Sequence, residues 1–170
     1  MTDVSQNDTS ADWGKNINAK MIEIKEQLYK YCEEYATQKI AHAQAAISAA
    51  QQAANEETKS SAGDKYETGR AMMQLEKEKH ATQVNEGLKL KKVLAQINPK
   101  VQLPNVQLGS LVTTAQANYY IAISAGKQTI DNKTYFTISL ASPIGQALKG
   151  LKAGEEVVFR QQKIKITELW

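Results

Sequence analysis

One cysteine, three prolines and two histidines in 170 residues remove several chemistries at once. A lone Cys32 excludes an internal disulfide and fits a reducing cytosol. No cluster of cations surrounds it in the sequence to lower its pKa, so it reads as a packed helix residue rather than a reactive thiol. His42 and His80 fall in helix-patterned segments with no cysteine or paired carboxylate at ligand spacing, and read as spacers rather than metal ligands. Gly-rich phosphate loops, nucleophile elbows and metal-binding cysteine pairs are all missing. No stretch approaches the roughly 20 apolar residues needed to span a bilayer, and no apolar signal core follows the polar start. The expectation is a soluble, cytoplasmic protein with no membrane partner.

What is present is unevenly spread. Hydrophobic residues make up 42% of the chain, yet many are alanines between Ala36 and Ala62, which bury little area each, so a single large core is not expected. The formal charge of +3 resides in the last seventy residues, because the first hundred carry equal numbers of each sign. That bias permits an acidic partner surface but falls short of the basic stripe of a dedicated nucleic-acid binder.

Residues 1–11 are polar and read as a disordered tail. From Asn16 to about Ala54 there is no proline or glycine. Ile17, Met21, Ile24, Leu28, Tyr31 and Tyr35 recur at alternating steps of four and three, the spacing of a coiled-coil seam, which continues through His42, Ala45, Ala49 and Ala53. Turn formers from Asn55 to Gly63 break the pattern. Ser61 and Asp64 match a capping box for a second helix, with Tyr66, Met73, His80, Val84 and Leu88 on its inner stripe and an end near Ile97, before Asn98-Pro99. The whole of 12–98 therefore reads as a long antiparallel coiled-coil hairpin with an acidic tip near 55–67. Helices of about 35 residues would make a rod roughly 50 Å long, suited to reaching into a partner.

Residues 99–107, with Pro99 and Pro104, read as a linker. In 108–170 the period becomes alternating: Leu111–Thr114, Tyr119–Ile123, Thr134–Ile138, Val157–Phe159 and Ile164–Ile166 read as five short strands, with turns at Gly126 and Asp131-Asn132. Ser142 to Lys149 reads as one helix, with Ser142 as N-cap and Pro143 at the first helical position. The sum is a small α+β domain.

The run Ser142-Pro143-Ile144-Gly145-Gln146-Ala147-Leu148, with Ile138-Ser139 before it and Gly154-Glu155-Glu156-Val157 after it, resembles the C-terminal signature of the bacterial transcript cleavage factors GreA and GreB. Tyr66 and Arg70 just past the tip, and the order of the two parts, fit the same family. The resemblance implies an FKBP-like fold for 108–170, docked on RNA polymerase through Ser142, Pro143 and Ile144. It also implies that the coiled coil enters the polymerase secondary channel, where tip carboxylates help hold a second Mg²⁺ while the polymerase cleaves the 3′ end of a backtracked transcript. The protein itself would be a monomer without a catalytic site or a cofactor of its own, sharing Mg²⁺ with the polymerase.

The tip candidates are Glu56 and Glu57 before the break, and Asp64 and Glu67 after it. Asp64 and Glu67 have the family's Asp-x-x-Glu spacing, and three residues apart on a helix they share a face. Asp64 and Glu67 are the candidates for holding the metal within the polymerase complex. The family's acidic pair lies upstream of its tyrosine, where a gapless count from Tyr66 finds Lys59 and Ala62. Ala141 stands where familiar members carry Asp or Asn. Two alternatives stay open: a secondary-channel regulator or inhibitor that does not promote cleavage, and a peptidyl-prolyl isomerase built on the C-terminal fold.

Overall fold

The computed structural model describes residues 9–57 and 64–170, with side chains over 14–56 and 67–170. Two helices, α1 (Thr9–Glu57) and α2 (Asp64–Leu94), precede a mixed six-stranded sheet that carries one short helix, α3 (Pro143–Leu148). The expected tail falls mostly on residues 1–8, outside the described residues, and Thr9–Ala11 belong to α1. The Asn55–Gly63 break and Ser61 of the capping box lie largely outside them as well. Among the described residues no helix is long and apolar enough to cross a membrane.

The chain divides into two compact units, one of residues up to Tyr31 with Ile97–Trp170, the other Cys32–Gln96. In the first, the strands are β1 (Leu111–Thr114), β2 (Asn118–Ala122), β3 (Gly126–Ile130), β4 (Lys133–Ser139), β5 (Glu156–Phe159) and β6 (Gln162–Leu169), in the order β3-β4-β2-β1-β6-β5. β2 and β4 are parallel, and the other neighbours antiparallel. β3 is the strand the alternation missed. Its sequence, Gly-Lys-Gln-Thr-Ile, buries only Ile130, as a polar edge strand does. It forms a hairpin with β4 through Asp131 and Asn132, both at positive φ (50° and 61°). These two residue types tolerate that region best after glycine.

Both faces of the central strands are covered, which is why β1 and β2 show near-continuous burial rather than strict alternation. On one face Val112, Ile121, Ile164, Ile166 and Leu169 pack with Leu148 of α3 and with Val106. On the other, Leu111, Tyr120 and Tyr135 are buried, and the start of α1 lies against the sheet. There Tyr31 Oη donates to Ala125 O at 2.8 Å and Lys20 pairs with Asp131 at 3.1 Å. Residues 99–107 are held closely: Val106 N donates to Leu151 O, and Gly150 N to Val106 O, each at 2.8 Å.

In the second unit the burial stripe on α1 is Cys32, Ala36 and Ala43, one position beyond the expected one. Tyr35 is half-buried, and His42, Ala45 and Ala49 are exposed, while their successors Ala46 and Ala50 are partly covered. The smallest side chains thus take the tightest positions, and the bulkier tyrosine flanks them. On α2 the inner stripe runs through Met73, Lys77, His80, Val84 and Gly87, and Leu88 is exposed. A Cβ on Gly87 would run into Ile40, so this glycine is the notch that receives the isoleucine. Lys39 pairs with Glu86 at 3.3 Å, and Lys77 Nζ donates to Gln51 Oε1. Partners therefore ascend along one helix as they descend along the other. α2 ends at Leu94 rather than Ile97, where Asn98 Oδ1 takes the Lys100 N–H at 3.0 Å in a local turn.

Candidate functional site

The candidate residues around α3 are tied closely to the sheet. Ser142 is its N-cap: Oγ accepts from Gly145 N at 3.1 Å and donates to Ser139 O at 2.7 Å. One hydroxyl thereby ties the helix start to the end of β4. Pro143 follows at the first helical position, where a missing N–H costs nothing. Gly145 is buried, and a Cβ there would run into the Ser139 carbonyl oxygen. Gln146 Nε2 reaches back to Leu140 O at 2.7 Å, Ile144 packs partly against the core, and Leu148 is fully buried. Most of the motif is thus consumed by the fold. Pro143 is exposed beside the exposed Ala141, which leaves it available to a partner.

The tip candidates are described in part. Glu56 is exposed in the last turn of α1, and Glu67 is exposed in the first turn of α2. Glu57 and Asp64 lie at the ends of those helices, and their side chains fall outside the described residues. Lys59 and Ala62 lie outside them too. Among the described residues no three His, Cys, Asp or Glu side chains gather to hold a metal ion. His42 is exposed, and His80 is engaged locally, with Nε2 3.3 Å from Glu76 and Nδ1 2.9 Å from Gln83 Oε1. Cys32 is fully buried.

The aromatic side chains of the sheet divide between its faces. Tyr119 and Phe136 pack with ring centroids 6.2 Å apart, whereas Tyr120 and Tyr135 point to the opposite face. Tyr135 lines a cleft of about 250 Å³ with Lys20, Met21, Ile24, Thr113, Asn118, Asp131, Lys133 and Glu168. Burial, and then the charge of Asp131, hold its phenol above the usual tyrosine range.

One group escaped the sequence reading. Lys25 is fully buried, and its Nζ donates to Val101 O at 2.6 Å. Burial lowers its pKa from 10.5 to about 8. It lines a cavity of about 220 Å³ with Asn18, Ile22, Lys100, Val101, Gln102 and Trp170. The Trp170 Nε1 is buried with no hydrogen-bond acceptor. A lysine in a charged helix ordinarily signals a solvated face, so the only hint was its place beside Ile24 and Leu28.

The chain matches no protein-family model, and no curated protein matches it. Among solved structures it is similar to GreA factor homolog 1 of Thermus thermophilus, at 17% identity and a TM-score of 0.33, over 81% of this chain and 94% of that one.

Proposed function

We propose that the chain is a transcription elongation factor that binds RNA polymerase and stimulates cleavage of backtracked transcripts by the polymerase itself. In this reading residues 32–96 form an antiparallel coiled coil that enters the secondary channel, and residues 108–170 form an FKBP-like domain that docks at the Ser142-Pro143-Ile144 helix start, with the exposed Pro143 as the contact and Ser142 and Ile144 holding it in place. The observation that carries it is the opposed pairing of α1 and α2. Lys39 meets Glu86, and twelve residues further along α1 Gln51 meets Lys77, so Glu56 and Glu67 come to the same end of the pair. The Ser142–Leu148 signature, with an exposed proline on a tightly tied helix start, supports the docking role.

Magnesium takes oxygen ligands and one or two protein carboxylates, and the exposed Glu56 and Glu67 offer that donor type. Extending the pairing sets Glu56 level with about residue 72 of α2. Glu67 is then nearer the connection by about five residues, roughly 7 Å of helix rise. Asp64 and Glu67, one helix turn apart, are therefore the better pair, with Glu56 and Glu57 as auxiliaries. Asp64 and Glu67 would hold such a metal together with the polymerase, and when bound it would supply an activated water and stabilise the leaving oxygen. Exposed carboxylates alone bind it weakly, so the polymerase and RNA complete the site.

Lys59 and Ala62, at the family's acidic positions, favour the second reading, a channel-binding regulator without cleavage. A backtracked complex with 3′-labelled RNA separates the two. Shortening of the RNA that is lost in Glu67→Ala or Asp64→Ala, with polymerase affinity retained, is the expected result, and Glu56→Ala/Glu57→Ala should lose less. Binding without shortening would establish the regulator. Failure to bind the polymerase at all would remove both.

A further inference from the structure

We propose that the cleft beside Tyr135 binds a small zwitterion of the amino-carboxylate class, its ammonium held by Glu168 and its carboxylate by Lys133. Strand register builds the floor of this site. Tyr135, Asn118, Thr113 and Glu168 are partners in turn across β4, β2, β1 and β6, so their side chains stand in one row on one face of the sheet. Lys133, two residues before Tyr135 on β4, shares that face. Lys20, Met21 and Ile24 of α1 wall the cleft opposite the row, and all of these residues belong to one compact unit.

Charge selects the ligand. Two lysines and two acids line the cleft, and Lys20 is taken by Asp131 at 3.1 Å. That leaves Lys133 and Glu168, one of each sign, neither in an ion pair with a described residue. Both are exposed, so both charges open onto water and can reach a ligand. They stand too far apart to satisfy each other, because the row from Tyr135 to Glu168 spans three strand spacings, about 14 Å, and Lys133 lies two residues further along β4. An anion alone would face Asp131 and Glu168, and a cation alone would face Lys20 and Lys133. A molecule with an ammonium at one end and a carboxylate at the other answers both. Between those ends, Tyr135 is 2% exposed, and its hydroxyl bonds to no described residue and lines the cleft rather than being sealed from it. Asn118 spends an amide N–H on Thr134 O at 3.1 Å, which leaves its Oδ1 to accept from a ligand. Met21 and the buried Ile24 supply an apolar wall for an aliphatic segment. The space of about 250 Å³ suits a ligand smaller than the drug-sized molecules that fill roughly 300–1,000 Å³. This inference is independent of polymerase binding.

The test is a calorimetric titration of the full chain with alanine and, separately, with γ-aminobutyrate, an amino acid with more widely spaced charges. Propylamine and propionate, each carrying one charge, are the controls. Saturable binding of at least one amino acid is expected, tighter than either control, and the better of the two reports the span of the site. Glu168→Gln and Lys133→Met alter exposed side chains, so the fold should survive. Each should weaken binding about tenfold, the loss of one hydrogen bond to a charged group, and Tyr135→Phe should weaken it several-fold. Saturation by neither amino acid overturns the proposal, as does equal binding of propylamine or propionate, or an affinity unchanged in either charge variant. Should Tyr135→Phe lose the sheet's dispersed resonances, the two charge variants still decide.

Discussion

Replacing Lys25 with methionine should stabilise the protein at neutral pH, against the usual rule that core substitutions destabilise. The lysine is fully buried, and its pKa falls from 10.5 to about 8. At 1.36 kcal/mol per pH unit, that drop corresponds to about 3 kcal/mol against the charged form, which solvent screening through the cavity reduces to about 2 kcal/mol. Methionine removes this penalty and keeps most of the apolar stem. It also strips the Val101 carbonyl of its donor, which costs about 1 kcal/mol at a residue that is 44% exposed. The net gain is about 1 kcal/mol at pH 7. The sign reverses with alkali. Because the folded pKa lies below the unfolded one, the unfolded chain binds more protons between about pH 8 and 10.5, and wild-type stability rises over that window. The penalty is fully present below pH 8 and gone above 10.5, so methionine should end about 1 kcal/mol less stable. The assay is urea unfolding of both proteins at pH 7, 9 and 10.5. Tyr119 and Tyr135, whose pKa values are raised by burial, pull the other way in both proteins and cancel in the difference. Parallel pH curves for the two proteins would refute the reasoning.

Gly145→Ala should cost about 2–3 kcal/mol and loosen α3, because the new methyl meets the Ser139 carbonyl, which cannot retreat without breaking its bonds to Ser142; chemical denaturation measures this, and a loss under 0.5 kcal/mol would contradict it. Gln161→Gly should gain about 1 kcal/mol, since Gln161 holds φ at 67° in the two-residue β5–β6 turn. It is a better choice than its neighbour Arg160, whose guanidinium lies 5.3 Å from the Phe159 ring centroid; an unchanged melting temperature would count against it. Asp131→Asn should lower the Tyr135 pKa while leaving it above the usual tyrosine value, because burial is the larger cause; ultraviolet titration of the phenolate, compared with Tyr135→Phe, would show this, and an unmoved titration would deny Asp131 its part.

The sheet was legible where burial on at least one face wrote itself into the alternation. Val112, Ile121 and Ile166 mark β1, β2 and β6, and the Ser-Pro start marks α3. β3 was not legible, because an edge strand with one buried side chain lacks a periodic signal. On α1 the stripe was read in nearly the right place, but tyrosines look more like core than Cys32 or Ala36 do. Close helix contact prefers the small residues, and hydrophobicity does not report that preference. Gly87 was invisible for the same reason. Pro143 was named from sequence, and it is exposed. The four tip acids were also named there, but their convergence depends on residues outside those described. Lys25 and the Val101 carbonyl that its ammonium meets are 76 positions apart in the chain, come together only through folding, and no local pattern announces such a pair.

The start of α1 meets strands that lie about a hundred residues later, and this sets a schedule for synthesis. Between the emergence of Tyr31 and that of Ser139, at roughly 5–20 residues per second, about 5–20 s elapse with Ile24 and Leu28 lacking their final cover. An uncovered apolar stripe on a nascent chain attracts chaperones and neighbouring ribosomes' products. Lys25, fully charged while still in water and shifted toward its neutral form once enclosed, interrupts that stripe during the interval when interruption is most useful.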